Sequence, residues 1–423
     1  MAPVVPASCQ QPDPGGGLRG LPRNVWVVTA TSFLTDISSE MVINLIPLFL
    51  AEVLGVRTNV IGLIEGVAET TASLVKVFSG WLSDRLGQRK WITVAGYSLS
   101  TVAKPFLYFA ASWTWVLGVR FADRVGKGIR TAPRDALVAD SVDETRRGLA
   151  FGLHRAGDTA GAAIGLLVAL VVIWLLQGSD WALARSTFQT VVILSIIPAV
   201  LAVVVLVVGA RDVPASSDDR RRAPSLSLAG FDARFKGFVL IMLLFTLGNS
   251  SDAFLILRAK ERGLSVLGVM GMLVAFNLVY TLVSGPAGAL SDRVGRRRII
   301  VGGWLTYGII YLGFALADEA WHVVVLFVLY GIYYGMTEGT ARAVVADLVR
   351  PDQRGTAYGV FNAAVGLAAF PASLVAGLLW QGIGGWQGWG PRAPFFFGSL
   401  VALVAVVFLV FWFPTMERED SIG

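Results

Sequence analysis

Five basic side chains recur at spacings that place them on one face of an α-helix, within a stretch apolar enough to lie in a membrane. Steps of four, three, three and four residues keep successive side chains in one stripe of a helix surface. A centrally placed Arg or Lys facing lipid costs about 2.5 to 3.5 kcal/mol, so the stripe must face a protein interior or a water-filled space. The stripe comprises Arg120, Arg124, Lys127, Arg130 and Arg134, and its last four members are candidate solute-binding cations.

Carboxylates lie in the same half of the chain as these cations. Asp36 and Glu40 stand four residues apart in the first apolar segment, and Asp123 and Asp158 stand beside basic residues further along. A carboxylate near a cation in a cavity can alternate between an ion-paired and a protonated state, as a proton relay requires. We therefore predict that these four residues carry protons. The alternative is a structural network, because buried charges are normally paired.

The second half of the chain has few charges in its apolar segments and more aromatic and amide side chains. These side chains could provide a stacking surface and hydrogen bonds for the apolar part of a solute. Core packing is the alternative, and it is the commoner role of aromatic residues at helical spacing. The candidate solute-binding residues of this half are Asn249, Asn277, Tyr280, Tyr330 and Tyr334. Glu338 and Arg342, four residues apart, favour an intrahelical ion pair.

The elements that carry these residues are long apolar segments. The chain of 423 residues is 55% hydrophobic, with a mean hydropathy of +0.66, and only 15% charged. A membrane-spanning helix needs about 20 apolar residues. Twelve segments reach or nearly reach that length, which predicts an all-α membrane protein with twelve transmembrane helices. The segments lie near residues 25–54, 58–83, 91–110, 112–139, 148–176, 186–209, 236–257, 265–290, 299–317, 321–347, 355–382 and 392–414.

Polar stretches divide the chain into two halves and two tails. Residues 1–23, rich in Pro, Gly and Gln, predict a disordered cytoplasmic tail, and residues 416–423 form a second tail. The longest polar break, residues 210–235, predicts a cytoplasmic linker between bundles at residues 24–209 and 236–415. Cys9 is the only cysteine, which excludes an intrachain disulfide and a Cys-based metal site. We expect no cofactor and no bound metal.

Basic residues outside the apolar segments indicate the orientation. Most of them fall in the tails and loops that a cytoplasmic N-terminus would place inside, and positive loops stay cytoplasmic. We therefore expect a multi-pass protein of the cell membrane, in a bacterium the inner membrane, with both termini in the cytoplasm. The net charge of +6 reflects this bias and does not indicate nucleic-acid binding.

The two halves repeat one another. The run GWLSDRLGQRK at residues 80–90 recurs as GALSDRVGRRR at residues 288–298. Two further matches keep the same register to within one residue, since residues 139–140 match 346–347 and residues 148–152 match 355–359. Repeats of six helices are an architecture that secondary transporters use. The sequence therefore predicts a duplicated bundle of six plus six helices.

The run at residues 80–90 resembles the signature loop of the major facilitator superfamily. The resemblance covers the chain from about Asn24 to Phe413 and implies the major facilitator fold, in which two pseudo-symmetric six-helix bundles exchange access to a central site. Residues 120–128 resemble the fourth-helix motif of that superfamily, with charges at positions that are usually neutral. Residues 123–135 resemble a bacterial subgroup described only as predicted efflux permeases, whose name supplies no substrate.

The signature loops are also candidates for a conformational latch. A carboxylate at a helix end can accept hydrogen bonds from the N–H groups of a neighbouring helix start and pair with a nearby Arg. Simple anchoring of the loop at the cytoplasmic surface is the alternative. The candidate latch residues are Gly80, Asp84, Arg85, Gly87 and Arg89 in the first loop and Asp292, Arg293 and Gly295 in the second.

These features favour a proton-coupled secondary transporter of a small organic solute, anionic or amphiphilic. Export is favoured over import because residues 161–165 partly resemble a Gly-rich exporter motif, although Leu166 replaces its Pro. An enzyme is disfavoured, since the chain has no Gly-x-Ser-x-Gly or His-Glu-x-x-His run, and no nucleotide-binding Gly-x-x-x-x-Gly-Lys-Ser/Thr loop. The alternatives are a multidrug/proton antiporter for neutral or cationic drugs, a receptor of this fold and, weakly, a metal exporter. We expect a monomer whose partners are solute, protons and the bilayer.

Overall fold

The structure, a computed structural model, describes residues 18–143, 146–178, 180–213, 228, 230–350 and 353–412. Over these residues the chain is helical, without a β-sheet, which confirms the predicted all-α class. We number the long helical segments α1 (Arg23–Val53), α2 (Thr58–Leu86), α3 (Lys90–Ala103, continued by a 3-10 turn at Lys104–Phe109), α4 (Trp113–Asp140), α5 (Arg147–Gln177), α6 (Arg185–Gly209), α7 (Ala233–Glu261), α8 (Val266–Val294), α9 (Arg296–Leu316), α10 (Ala320–Asp347), α11 (Arg354–Gln381) and α12 (Ala393–Trp412).

Within the described residues, nine of these segments are long and apolar enough to cross a membrane by length and composition. The other three are α2, α3 and α4. The basic stripe lies on α4 and two candidate latch charges, Asp84 and Arg85, lie on α2, and charge lowers the hydropathy of a helix even where it faces the protein interior. The regular part of α3 is only 14 residues long. Residues 1–17, with Cys9, most of the predicted linker and the tail at residues 416–423 lie outside the described residues.

Helix packing follows the repeat. In the N-terminal half, α1 packs on α5 and α6, and α4 packs on α2 and α3. In the C-terminal half, α10 packs on α8 and α9, and α12 packs on α7 and α9. Two helix pairs make most of the contacts between the halves, α2 with α11 and α5 with α8, and α1 meets α7 over a smaller area. The repeat makes α2 equivalent to α8 and α5 equivalent to α11, so the two joining pairs are pseudo-symmetric.

Glycines let α2 and α11 touch along one end of the molecule. A Cβ atom at Gly62 would lie 2.4 Å from the Ser373 carbonyl oxygen, and one at Gly366 would lie 2.1 Å from the Ser73 Cβ. The Thr70 hydroxyl donates to the Gly366 carbonyl at 2.7 Å. Hydrogen bonds from Arg57 to the Gln381 carbonyl and from Asn59 to the Gly382 carbonyl, at 2.9 and 2.8 Å, close this end. We call it the closed end.

The opposite end, where the signature loops lie, is open. A Cβ atom at Gly359 of α11 would meet nothing within 4 Å, and one at Gly80 of α2 would meet only Ala132 of its own half. At the closed end, by contrast, the Lys260 ammonium group forms a further bridge between the halves, to the Glu52 carboxylate at 2.9 Å. The two halves therefore diverge from the closed end towards the signature loops.

Two equivalent helices are broken at the level of the membrane. The regular part of α1 ends at Ile43 and helical structure resumes at Ile46, while α7 is interrupted between Gly248 and Ala253. Broken backbone within a membrane is tolerated only where it is buried in protein or lines a cavity. Both breaks lie against the interior space described next.

Candidate functional site

Three contiguous cavities run between the two halves. The outer cavity, about 360 Å³, lies towards the open end, the middle cavity encloses about 490 Å³, and the inner cavity, about 560 Å³, reaches towards the closed end. Arg155 and Asp158 line both the outer and the middle cavity. Glu40, Glu69 and Asn277 line both the middle and the inner cavity. The shared walls make one route that is open at one end.

Ten of the thirteen predicted proton-carrying and solute-binding residues line this route. The middle cavity is lined by eight of them, and the inner cavity by four, two of which are common to both. The middle set is Asp36, Glu40, Lys127, Arg130, Arg134, Asp158, Asn277 and Tyr280. The inner set is Glu40, Asn249, Asn277 and Tyr334. The fold thus brings together predicted side chains from α1, α4, α5, α7, α8 and α10.

Two members of the basic stripe lie behind the cavity wall. The Arg120 guanidinium donates to both oxygens of the Glu65 carboxylate at 2.7 and 2.6 Å, and both side chains are buried. Arg124 is buried beside Glu69, with 3.7 Å between the guanidinium and the carboxylate. Neither Arg lines the cavities, because each turns towards α2 rather than towards the other half of the protein. Asp123 also lines none of the three, so the structure separates Arg124 and Asp123 from the other candidates.

The remaining three cations of the stripe reach the middle cavity in different ways. Arg130 donates to the Ser100 hydroxyl at 2.8 Å and lies 4.6 Å from the centre of the Tyr97 ring, so α3 holds it in place. Arg134 donates to Asp135 at 2.8 Å. Lys127 is exposed to the cavity and forms no ion pair with any described residue. Lys127 is therefore the cation of the stripe with the most freedom to bind an anion.

Polar contacts cross the interface near the outer cavity. The Arg155 guanidinium of α5 contacts the Glu338 carboxylate of α10 at 3.2 Å and also hydrogen-bonds the Tyr280 hydroxyl of α8. Tyr280 donates to Glu338 at 2.5 Å. Arg342 also lies 3.5 Å from Glu338, as the spacing of these two residues predicts. The Arg155 contacts join the two halves on the open side of the middle cavity.

A carboxylate of the second half lies at the α7 break. Asp252 lines the inner cavity and accepts hydrogen bonds from the hydroxyls of Tyr334 and Tyr330 at 3.1 and 3.3 Å. Tyr334 lines the cavity, whereas Tyr330 is fully buried and reaches Asp252 only through its hydroxyl. The Tyr330 ring therefore packs in the core, which was the alternative role of the aromatic candidates.

Sequence reasoning missed Lys104 and Asp212. The Lys104 ammonium group is buried between α1 and α3, where it donates to the hydroxyls of Ser38 and Ser39 at 2.5 and 3.1 Å. The signal was present, since a lysine inside the third apolar segment must find polar partners. Asp212 lies in the predicted linker and gave no signal of its own, because its role depends on how the chain returns after α6.

Each signature loop is held within its own half. In the first loop Arg89 is buried, pairs with Asp84 and lies 3.2 Å from Asp140. The N–H groups of Arg89 and Lys90 donate to Asp212, both at 3.0 Å, so Asp212 rather than Asp84 takes the helix-start position. In the second loop Arg296 pairs with Asp347 and, at 3.7 Å, with Asp292.

The other loop residues serve turns and anchoring. Gly87 and Gly295 adopt φ values of +66° and +95°, which favour glycine and end α2 and α8. Arg85 lies over the Trp81 ring at 5.4 Å, and Arg293 is exposed. The ion pairs of Asp84, Arg89, Asp292 and Arg296 with described residues all lie within one half, so the latch stays a prediction for another conformation.

The glycines of the fifth helix pack against α1. A Cβ at Gly161 would lie 2.4 Å from the Phe33 carbonyl oxygen, and one at Gly165 would lie 2.5 Å from the Ile37 carbonyl oxygen. This contact accounts for the small residues at residues 161–165 by close helix packing, the alternative to an exporter motif.

Two helical bundles around a charged central cavity are the architecture of a secondary transporter. A family model described as Major Facilitator Superfamily matches residues 28–272 and 237–422. An uncharacterized MFS-type transporter of Methanocaldococcus jannaschii is 35% identical over 399 residues, covering 93% of this chain and 96% of the relative. The chain therefore belongs to the Major Facilitator Superfamily and is a multi-pass membrane protein.

Two further similarities are narrower. A solved structure, a POT family transporter in complex with 5-aminolevulinic acid, matches with a TM-score of 0.75 at 14% identity, covering 94% of this chain and 97% of that one. At that identity the match shows the fold alone. The tetracycline resistance protein, class B, of Escherichia coli is 32% identical over 154 residues, 36% of each chain.

Proposed function

We propose that this protein is a secondary active transporter that moves a small organic solute, anionic or amphiphilic, across the cytoplasmic membrane by alternating access. The observation that carries the proposal is the route between the halves, which charged residues of both halves line and which is open at one end only. Transport then needs the closed end to part while the signature-loop end comes together, through rocking of the bundles at residues 24–209 and 236–415.

The expected orientation in the membrane determines which side the open end faces. With both termini cytoplasmic, the signature loops face the cytoplasm and the structure is open to the inside. The closed end then faces the opposite side of the membrane, in a bacterium the periplasm. A monomer contains the whole route, since both walls come from one chain. The latch residues would make their contacts with the opposite half when this end closes.

Proton coupling is the proposed source of energy. Asp36 and Glu40 line the middle cavity, and the hydrogen-bond partner of the Glu40 carboxylate is the Asn44 amide at 2.9 Å rather than a cation. Asp158 lies 3.7 Å from His154 in the same region. A carboxylate that faces water and has a neutral partner can accept a proton without breaking an ion pair.

Export rests on the subgroup resemblance and on the partial similarity to a tetracycline resistance protein.

The test is flux into sealed proteoliposomes under an imposed pH gradient, with labelled 3-phenylpropionate and tetracycline as solutes. We expect Asp36→Asn and Glu40→Gln to reduce gradient-driven flux at least tenfold, because neither side chain can then bind and release a proton. Asp318→Asn, an exposed residue of the closed-end loops, serves as the matched control and should retain flux. Full gradient-driven flux in both cavity variants would refute the proton assignment.

A second candidate, a multidrug/proton antiporter for neutral or cationic drugs, draws support from the acidic lining of the inner cavity. Exclusive, gradient-driven flux of cationic dyes would favour it over the anion proposal. A receptor of this fold would bind solute without any flux in the same vesicles. A metal exporter would move divalent cations in the same vesicles. It is the weakest alternative, because the sequence has no cluster of soft metal ligands.

A further inference from the structure

The charged residues along the route are not evenly mixed. Cations and carboxylates both line the middle cavity. Its cations are Lys76, Lys127, Arg130, Arg134, Arg155 and Arg342. The described charged residues that line the inner cavity are all acidic: Glu40, Glu65, Glu69 and Asp252. A solute that enters from the open end therefore meets both charge signs first and then a compartment whose described charges are all carboxylates.

Two of the four inner carboxylates have no cation within 4.0 Å among the described residues. Glu65 is held by Arg120, and Glu69 faces Arg124. The Glu40 carboxylate accepts from an amide, and the Asp252 carboxylate accepts from two phenol hydroxyls. Neither forms an ion pair with a described residue. A carboxylate in a partly desolvated site is stabilised by an opposite charge, so this pair is suited to a cationic group of the solute.

A third polar group at the same place also lacks a partner. The Ser250 side chain, only 7% exposed, lines the inner cavity at the α7 break, and its hydroxyl makes no hydrogen bond within 3.5 Å to a described residue. The Ser250 oxygen is covered by neighbouring atoms in this conformation, so an ammonium group reaches it only if the backbone at the α7 break shifts. Glu40 beside the α1 break and Asp252 with Ser250 at the α7 break thus contribute from both halves.

We propose that the inner cavity is a subsite for an ammonium group, and that the transported solute is a zwitterion whose anionic group binds at Lys127 in the middle cavity. This inference rests on the transporter function proposed above and narrows its solute class. The two charged ends of the solute can occupy adjacent compartments, because Glu40, Glu69 and Asn277 line both cavities. A solute with only an anionic group, or only a cationic group, would provide an opposite charge to just one of the two compartments.

Three compounds with a shared aromatic body test the inference by calorimetry on the purified full chain. They are 4-(2-aminoethyl)benzoate, a zwitterion with its charges at opposite ends of the ring, 4-ethylbenzoate, the anion, and 4-methylphenethylammonium, the cation. We expect the zwitterion to bind about tenfold more tightly than either single-charge compound, since it alone makes a charge-assisted contact in both compartments. Equal affinities, or binding by none of the three, would overturn the subsite.

Two variants separate the ends of the site. Asp252→Asn should weaken the zwitterion and the cation about tenfold and leave the anion unchanged, and Lys127→Gln should weaken the zwitterion and the anion and leave the cation unchanged. Asp252→Glu should restore most of the cation affinity. Equal weakening of all three compounds by both variants would indicate a structural role and overturn the assignment. Gradient-driven flux of 4-ethylbenzoate without any zwitterion preference would refute this inference while leaving the transporter proposal intact.

Discussion

The two halves of the protein arose from one repeat, yet their interiors are chemically different. The N-terminal half buries ion pairs and lone cations, including Arg120 with Glu65 and Lys104 between two serines. The C-terminal half buries aromatic stacks, including Phe245 on Trp304 at 4.3 Å and Tyr307 on Tyr311 at 4.0 Å. Charge pairing thus contributes more to the interior of the N-terminal half and aromatic stacking more to that of the C-terminal half, although Phe49 stacks on Phe188 in the first and Arg258 is buried in the second.

The two pseudo-symmetric interfaces differ for a related reason. Gly62 of α2 corresponds by the repeat to Met270 of α8, and Gly366 of α11 corresponds to Thr159 of α5. Glycine allows the backbones of α2 and α11 to touch at the closed end, whereas the contact between α5 and α8 is less extensive. The repeat therefore fixes which helices meet, although the two contacts differ in extent.

Removing the largest aromatic side chain of the C-terminal core should have the largest effect on stability. Trp304 is 1% exposed and stacks on Phe245, so Trp304→Ala leaves a cavity and should cost about 3 to 5 kcal/mol. Unfolding of the purified protein in detergent, followed by circular dichroism, measures the loss. Trp321→Ala is the matched control, since that side chain is 63% exposed, and a loss as large as that of Trp304→Ala would contradict the aromatic-core account.

Breaking a buried ion pair should cost nearly as much in the N-terminal half. Arg120→Gln leaves the Glu65 carboxylate buried without its cation, which typically costs about 3 kcal/mol, and raised salt should not remove the difference. Arg342→Gln breaks an exposed pair of the C-terminal half and should cost less than about 1 kcal/mol. The same unfolding assay compares them. Equal losses of unfolding free energy in the two variants would contradict the proposed contrast between the halves.

A methyl group at the closed end should shift the conformational equilibrium rather than unfold the protein. Gly62→Ala places a Cβ against the Ser373 carbonyl oxygen and should favour separation of α2 from α11 by about 1 to 2 kcal/mol. Spin labels at Thr114 and Trp321, exposed residues of the two halves at this end, report their separation by pulsed electron resonance. Gly359→Ala, where a Cβ meets open space, controls for helix propensity. An unchanged distance distribution for Gly62→Ala would show that this contact does not close the end.

Much of the architecture could be predicted from the sequence because the signals are local. Apolar length marks the helices, and the duplicated signature loops mark the repeat. The sequence could not predict which neighbour each basic side chain contacts. A stripe some 120° wide on α4 meets both neighbouring helices and the cavity. Arg120 faces α2, Arg130 is held by α3, and Lys127 alone of these three stays free in the cavity.

The aromatic candidates show the same limit on a smaller scale. Tyr330 and Tyr334 stand one helical turn apart on α10, and both hydroxyls reach Asp252. Only Tyr334 lines the cavity, because the Tyr330 ring packs against Tyr307 and Tyr333 in the core. Spacing places both on one face, but the tilt of the neighbouring helices decides which ring meets the cavity.

The central claim is that one charged route between the halves is open at the signature-loop end and closed at the other. Cysteine labelling with a membrane-impermeant maleimide tests it most directly, with Lys127→Cys and Thr159→Cys in the middle cavity, on a Cys9→Ser background. We predict that both positions react from the side that carries the signature loops and are protected from the opposite side. Absence of labelling from the signature-loop side, or equal labelling from both sides, would contradict the account.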